Sequence, residues 1–194
     1  KIKEAPKYVS RGGFKLEKAL KEFKVDPKGL ICLDIGASTG GFTDCLLQHG
    51  AKNVHAYDAG TNQLCWKIRS DPRVNSREKL NCRHLSKADI DDDIKLIVID
   101  VSFISLTKIL PAAYDICSLN SSILTLIKPQ FELSREEVSK GGIVKDPQLH
   151  TKSVSKIVDF ATQELQLDHI GTINSPITGS AGNIEFLAHF IKKA

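Results

Sequence analysis

The sequence predicts an α/β fold with a mostly parallel, doubly wound sheet that ends in an antiparallel strand. Short apolar runs of strand length alternate with helix-like segments along most of the 194 residues. This alternation is typical of parallel sheets that are covered by helices on both faces. Two strand-like segments then follow each other directly near the C-terminal end, so the last strand is expected to be antiparallel. An apolar content of 41% and a charged content of 26% are ordinary for one globular domain.

The first half of the chain begins with a helical pattern. Apolar residues at helical spacing predict a helix over Gly12–Phe23, with Ser10 as its N-cap. A turn is expected at Asp26–Gly29. The elements expected after it are a strand at Leu30–Asp34, a helix at Gly41–His49 ended by Gly50, a strand at Asn53–Tyr57 and a short helix at Gln63–Ser70. Arg73–Leu85 is ambiguous and allows a short strand together with part of a helix.

The second half contains the most apolar segments. Near-continuous apolar runs predict strands buried on both faces at Ile94–Ile99 and Ser121–Ile127. The other expected elements are a helix at Leu106–Ser118 with Pro111 near a kink, a polar loop at Gln130–Asp146, a helix at Leu149–Leu165, and strands at Leu167–Asn174 and Ile184–Ile191 joined by the segment Ser175–Asn183.

A loop rich in small residues follows the first strand and leads into a helix. Its pattern is Asp34-x-Gly36-x-x-x-Gly40-Gly41. Glycine lets the backbone approach a ligand, and a strand, such a loop and a helix N-terminus together form a nucleotide crevice. The spacing differs from the Gly-x-Gly-x-x-Gly of dinucleotide sites, and the loop has no P-loop lysine. It resembles the first motif of S-adenosylmethionine-dependent methyltransferases, although an ordinary glycine-rich turn is the alternative.

Ionisable residues directly follow several predicted strands. Asp58 follows Gly36 at the usual offset of a carboxylate that binds ribose hydroxyls, although Asp58–Gly60 is also a good turn sequence. Asp100 and Lys128 come directly after buried strands, where an unpaired charge is costly. The carboxyl ends of parallel strands meet at one edge, so these residues are candidates either for chemistry or for a stabilising ion pair.

Charge and cysteine usage indicate the broad class of protein. The net charge of +4 is modest. Basic residues are concentrated before the first strand, which suits a polyanion such as RNA, although a solvated helix face is the alternative. These residues are Lys1, Lys3, Lys7, Arg11, Lys15, Lys18, Lys21, Lys24 and Lys28, of which Arg11, Lys15 and Lys18 are the candidate RNA contacts.

The five cysteines form no C-x-x-C pair, which predicts no structural zinc, no disulfides and a reducing, cytoplasmic setting. No apolar run is long enough for a membrane span, and no signal peptide is visible. The chain starts at Lys1 and contains no methionine, so we expect it to be a fragment.

Several further motifs together resemble the TlyA (haemolysin A) family, which is similar to the FtsJ/RrmJ-type ribose methyltransferases. The motifs cover nearly the whole chain and comprise Tyr8–Leu16, Asp34–Thr43, Asp100–Leu106, Lys128–Glu132, Gly141–Pro147 and Ser175–Ile177 with Gly182–Leu187. Leu133–Arg135 departs from the family, which often has a small residue there. The resemblance implies one Rossmann-like class I methyltransferase domain over residues 1–194, with a basic helical extension at 1–28. It also implies that an N-terminal S4 RNA-binding domain, usual in the family, is absent from this chain.

The resemblance implies methyl transfer from S-adenosylmethionine to a ribose 2′-hydroxyl of ribosomal RNA, without a metal. It implies a catalytic tetrad of Lys15, Asp100, Lys128 and Glu185, with Lys128 as the general base or a steering group. By themselves, Lys15 resembles a solvated lysine and Glu185 a surface strand residue. The expected cofactor-binding residues are Asp34, Gly36, Ala37, Ser38, Gly40, Gly41, Phe42, Asp58 and Asp100.

Other functions are less well supported by the sequence. A base-nitrogen methyltransferase would usually show an Asn/Asp-Pro-Pro-aromatic element after the fourth strand, whereas this chain has Asp100–Phe103. The family name suggests a membrane-acting haemolysin, but no amphipathic or spanning segment supports it. An RNA-binding or cofactor-sensing module without catalysis is a further alternative, and the complete tetrad argues against it.

Overall fold

A seven-stranded sheet forms the centre of the molecule in the computed structural model, which describes residues 6–193. The strands are β1 (Ile31–Ile35), β2 (Asn53–Tyr57), β3 (Val74–Arg77), β4 (Leu96–Ile99), β5 (Ser121–Ile127), β6 (Asp168–Asn174) and β7 (Phe186–Lys192). Their spatial order is β3-β2-β1-β4-β5-β7-β6. Strand β7 is antiparallel to both of its neighbours, and the other neighbouring pairs are parallel. The predicted mostly parallel sheet with a final antiparallel strand is confirmed.

Helices cover both faces of the sheet. They are α1 (Gly12–Glu22), α2 (Gly41–Gln48), α3 (Trp66–Arg69), α4 (Leu110–Ile116), α5 (Pro129–Glu132) and α6 (Pro147–Asp159). One apolar cluster includes Leu16 of α1 and Leu46 of α2, and the other includes Leu110 of α4 and Ile157 of α6. Burial on both faces explains why the central strands are almost continuously apolar.

The largest differences from the sequence prediction have local causes. Arg73–Leu85 contains β3, which pairs with β2, and then a 3₁₀ turn at Cys82–His84. The predicted helix at Leu106–Ser118 is divided into a 3₁₀ turn at Leu106–Lys108 and α4, because Pro111 fits only the first turn of a helix. Helix α6 begins earlier than expected because Asp146 caps it, accepting the backbone N–H of Gln148 at 2.8 Å.

Smaller corrections concern the ends of elements. Arg11 rather than Ser10 is the N-cap of α1, and no side chain caps it. Asp34 lies inside β1 rather than at its end. The loop predicted at Gln130–Asp146 begins with the end of α5, and α6 continues beyond Asp159 as a π-helical turn at Phe160–Glu164. The basic residues Lys1 and Lys3 lie outside the described residues.

Two features of this topology place functional side chains together. The strand order reverses between β1 and β4, and such a switch point opens a crevice at the carboxyl ends of the strands. Because β7 is antiparallel to β5, its first residue, Phe186, pairs with Ile127 at the last position of β5. Glu185 therefore lies at the same edge as Lys128. Among the described helices, none is both long and apolar enough to cross a membrane.

Candidate active site

The glycine turn after β1 lies at the switch point. Gly36 and Gly40 have φ values of +88° and +99°, a region that residues with a Cβ rarely adopt. A Cβ on Gly36 would lie 2.4 Å from the carbonyl oxygen of Asp100. The turn after β1 and the segment after β4 are therefore in direct backbone contact, which only glycine allows.

Two adjoining cavities form a cleft along this contact. The larger has a volume of about 720 Å³ and the smaller about 360 Å³. Both are lined by Gly36, Ser38, Asp100, Ser102 and Phe103. An elongated ligand could thus extend from one cavity into the other across the glycine turn.

The four residues of the expected tetrad all line the larger cavity. They form two ion pairs: Lys15 Nζ lies 2.5 Å from Glu185 Oε2, and Lys128 Nζ lies 2.6 Å from Asp100 Oδ1. Lys128 also donates a hydrogen bond to the hydroxyl of Ser102 at 2.9 Å. The structure therefore brings together side chains from α1 and from the ends of β4, β5 and β7.

Burial makes these ion pairs geometrically specific. Lys15, Lys128 and Glu185 are each less than 10% exposed, whereas Asp100 is partly open to the cleft. Removing one member of a buried pair leaves the other charge uncompensated, which is strongly destabilising. Each carboxylate therefore fixes the ammonium group of its partner at the surface of the cavity.

Asp58 lies in the smaller cavity, at the end of β2. Its Oδ2 accepts the backbone N–H of Ser38 at 2.8 Å, and its Oδ1 accepts that of Gly60 at 2.6 Å. Asn81 and Cys82 line the same cavity. Asp58 thus combines the turn-forming contacts that its sequence suggested with a position facing the cleft.

Asp34 lies behind the cleft surface, fully buried in β1. Its Oδ2 accepts the hydroxyl of Thr43 at 2.6 Å, while Oδ1 has no hydrogen-bond partner among the described residues. Burial raises the pKa of this carboxyl to about 7, with smaller contributions from Asp100 and Asp58. Asp34 therefore connects β1 to the first turn of α2 through Thr43, and it lines neither cavity.

The remaining expected site residues divide into two groups. Residues that line the larger cavity are Arg11, Ala37, Ser38, Gly41 and Phe42. Gly40 does not line it, and its α-carbon faces Leu64 and Ile68 instead. Lys18 also lies outside this cavity, where it pairs with Glu22 at 2.7 Å on the exposed side of α1.

Several residues of the cleft were not singled out from the sequence. Ser102 holds Lys128, as described above. Phe103 is 91% exposed with φ +63°, and its ring lies 5.1 Å from that of Phe131. Asn183 is buried and bridges two loops, donating to the carbonyl of Gly142 at 2.8 Å and accepting the N–H of Val144 at 2.9 Å. Ser102 and Phe103 lie in the motif Asp100–Leu106 and Asn183 lies in the motif Gly182–Leu187, but exposure and tertiary contacts cannot be read from a motif.

Within residues 6–193, no group of three or more His, Cys, Asp or Glu side chains could hold a metal ion. All five cysteines are free. Four of them are buried, and burial raises the thiol pKa of Cys32, Cys45, Cys82 and Cys117. These thiols are packing residues in this structure.

Comparison with known proteins places the same residues in a described family. The family model for FtsJ-like methyltransferases matches residues 8–192. Hemolysin A of Brachyspira hyodysenteriae is 53% identical over 190 residues, which cover 95% of this chain and 77% of that protein. The 16S/23S rRNA (cytidine-2′-O)-methyltransferase TlyA of Mycobacterium tuberculosis is 46% identical over 179 residues, which cover 92% of this chain but only 66% of that protein. The crystal structure of a hemolysin-named protein from Lactococcus lactis has a TM-score of 0.95 at 53% identity, and the match covers 97% of this chain and 90% of that one.

Proposed function

Because the chain belongs to the FtsJ-like methyltransferase family, we propose that it transfers the methyl group of S-adenosylmethionine to a ribose 2′-hydroxyl of ribosomal RNA. The observation that most supports this proposal is the convergence of Lys15, Asp100, Lys128 and Glu185 on one cavity beside the glycine turn. The name of the M. tuberculosis relative further supports the ribose of a cytidine as the acceptor.

The cleft fits the chemistry of the proposed donor. Gly36 lets the backbone of Asp100 approach the glycine turn, which places Asp100 beside both cavities. Asp58 would hold the ribose hydroxyls in the smaller cavity. Asp100 faces both cavities, so its carboxylate suits the α-ammonium group of the donor's methionyl part. When bound, S-adenosylmethionine supplies a methyl group that is activated by a positively charged sulfur.

The residues of the chain must place the acceptor hydroxyl and handle its proton. A bond forms between the ribose oxygen and the methyl carbon while the methyl–sulfur bond breaks, so S-adenosylhomocysteine leaves and the hydroxyl proton is released to solvent. In-line positioning of this kind can supply roughly 7–11 kcal/mol. Lys128 pairs with Asp100 and donates to Ser102, which are the contacts of an ammonium group. Of the two roles that the sequence left open for Lys128, the resting site therefore supports steering of the hydroxyl. Glu185 and Lys15 form the second ion pair that lines the same cavity.

The surroundings of the cleft suit RNA. Arg11 is exposed at its edge and offers a phosphate contact. The exposed ring of Phe103 offers a face on which an unstacked base can stack. We place this single catalytic domain, including its basic N-terminal helix, against ribosomal RNA in the cytoplasm, a setting with which the free cysteines agree.

The alternative functions have weaker support. The segment Asp100–Phe103 lacks the Pro-Pro-aromatic element expected of a base-nitrogen enzyme. The same part of this chain aligns with a relative named for haemolysis and with another named for rRNA methylation, so the first name does not indicate a separate membrane activity. The paired tetrad disfavours a non-catalytic binding module.

The product of the reaction provides the test. The protein is incubated with methyl-labelled S-adenosylmethionine and ribosomal subunits or protein-free ribosomal RNA, and the RNA is digested to nucleosides for mass spectrometry. We expect the label in a 2′-O-methylated nucleoside. Label on a base, or no transfer to either form of the RNA, would contradict the proposal.

A further inference from the structure

Glu132 is a buried carboxylate that the proposed reaction does not use. It is the last residue of α5 and is 4% exposed. Burying a charged group is costly unless its oxygens are paired. Glu132 lines neither cavity of the cleft, so its charge cannot be explained by contact with the reacting groups.

Both oxygens of Glu132 contact the segment that follows β4. Oε1 accepts the backbone N–H of Leu106 at 2.9 Å, and Oε2 accepts the hydroxyl of Ser105 at 2.5 Å. Lys156 of α6 donates to the main-chain carbonyl of Glu132 at 2.5 Å, and its Nζ lies 3.7 Å from Oε2. Burial raises the pKa of Glu132, whereas these hydrogen bonds and the nearby cation favour its ionised form.

These contacts join two segments beyond the point where the sheet holds them together. The β4–β5 pairing ends at Ile99 and Thr125, so main-chain hydrogen bonds of the sheet do not fix residues 100–106 against residues 128–132. Glu132 supplies a buried connection between these two segments.

The same two segments contain the side chains of the cleft that we propose to face the RNA. Lys128 reaches from one to Asp100 and Ser102 on the other, and Phe131 packs against Phe103. The distances across this junction are short, from 2.6 Å for the ion pair to 5.1 Å between ring centroids. A small shift of one segment would therefore disturb every one of these contacts.

We propose that Glu132 is a positioning residue that fixes Lys128 and Phe131 relative to Ser102 and Phe103. The inference rests on the proposed function, because it assigns Glu132 a role in turnover rather than in folding alone. Asp58 is not part of the junction, and the backbone of Asp100 is held separately by its N–H, which donates to the carbonyl of Ile35 at 3.0 Å. S-adenosylmethionine affinity is therefore expected to depend little on Glu132.

Variants of Glu132 separate positioning from stability. In Glu132→Ala, the N–H of Leu106 and the hydroxyl of Ser105 lose their acceptor, whereas Lys156 loses a nearby carboxylate but keeps the main-chain carbonyl of residue 132. A misplacement of about 1 Å near reacting groups can cost on the order of 100-fold in rate. We expect kcat to fall on the order of 30–100-fold, with KM for S-adenosylmethionine and its calorimetric affinity changed by less than about threefold.

Conservative and matched variants sharpen this comparison. Glu132→Gln keeps the length and an oxygen for Leu106, so we expect it to retain kcat within about fivefold of the parent. Ser105→Ala removes one of the two side-chain contacts of Glu132, together with the cap that the Ser105 hydroxyl forms on the Thr107 N–H at 3.3 Å. This variant serves if Glu132→Ala does not fold, and its expected loss is about 3–10-fold. Glu137→Ala removes an exposed ion pair with Lys152 of α6 (2.6 Å) and should leave kcat unchanged.

The outcomes are distinguishable. Parental kcat in folded Glu132→Ala, or equal losses of cofactor affinity and turnover, would overturn the positioning role. If the parent transfers no methyl group to RNA, the proposed function fails, and a crystal structure of Glu132→Ala then decides the inference. Displacement of the Lys128 ammonium from Asp100 would support it, and an unchanged ion pair would overturn it.

Discussion

Replacing Gly36 with alanine tests whether the close contact of two backbone segments builds the cofactor side of the cleft. Gly36 has φ +88°, and an added Cβ would lie 2.4 Å from the carbonyl oxygen of Asp100 and 2.9 Å from its carbonyl carbon. Ordinary contacts begin near 3.4 Å, so the segment after β4 would have to move by about 1 Å. This movement displaces Asp100, which faces both cavities.

Backbone strain at residue 36 and displacement of Asp100 together set the expected losses of stability, cofactor affinity and turnover. A non-glycine residue in the left-handed region costs roughly 1–2 kcal/mol. For a chain of this size, each kcal/mol lowers the unfolding temperature by about 2–4 °C. Displacing Asp100 adds to this cost and moves a group beside the proposed reaction, where about 1 Å can change the rate by about 100-fold. We therefore expect at least about tenfold weaker binding of S-adenosylmethionine and a larger loss of turnover.

Gly29→Ala is a matched control. Gly29 also has a positive φ, +74°, but a Cβ there would meet nothing within 4 Å. Isothermal calorimetry and thermal unfolding of both variants should show a few degrees of destabilisation for Gly29→Ala with parental cofactor affinity, and losses of both for Gly36→Ala. Equal cofactor affinity in the two variants would show that the backbone contact at Gly36 does not build the cofactor side of the cleft.

Further predictions concern individual side chains of the site. Asp58→Ala should weaken S-adenosylmethionine binding by about 10–100-fold, because hydrogen bonds to a charged group contribute about 1.5–3 kcal/mol; unchanged calorimetric affinity would remove Asp58 from the site. Phe103→Ala should raise the RNA concentration needed for half-maximal transfer by about 5–100-fold, since stacking on an aromatic contributes about 1–3 kcal/mol per base; an unchanged RNA dependence would contradict the stacking role. Burial raises the pKa of Asp34 to about 7. The native state therefore keeps this proton to higher pH than the unfolded state, and the free energy of unfolding falls by about 2 kcal/mol between pH 5 and pH 7. In urea unfolding, Asp34→Asn should lack this fall in the free energy of unfolding between pH 5 and pH 7. The same pH dependence in Asp34→Asn and in the parent would contradict the raised pKa of Asp34.

The sheet could be predicted from the sequence where its strands are buried on both faces. Strands such as Ser121–Ile127 have no polar face, so their apolar runs and the charged residues that follow them are visible without a structure. A short strand within Arg73–Leu85 was allowed but its bounds could not be predicted, because β3 is an edge strand whose residues, Val74 aside, are exposed. Its sequence therefore has no pattern that distinguishes it from a loop.

The site was predictable in part for a similar reason. Asp100 and Lys128 follow buried strands, so their positions along the sequence already placed them at one edge. Lys15 and Glu185 had no such signal, because they are 170 positions apart and meet only when β7 inserts antiparallel beside β5. Only the family resemblance placed them in one site. Glu132 lay inside a recognised motif, but its role depends on a tertiary contact that no local pattern encodes.

Lys128→Ala removes one lysine of the lysine–carboxylate cluster that we propose to perform methyl transfer to RNA. Its control is Lys152→Ala, which removes an exposed lysine of α6. Labelled-methyl transfer to ribosomal RNA should fall by at least about 100-fold in Lys128→Ala, because the acceptor hydroxyl loses its steering group, while calorimetric affinity for S-adenosylmethionine stays within about threefold of the parent and of the control. Transfer by Lys128→Ala at a rate near that of Lys152→Ala would contradict this proposal.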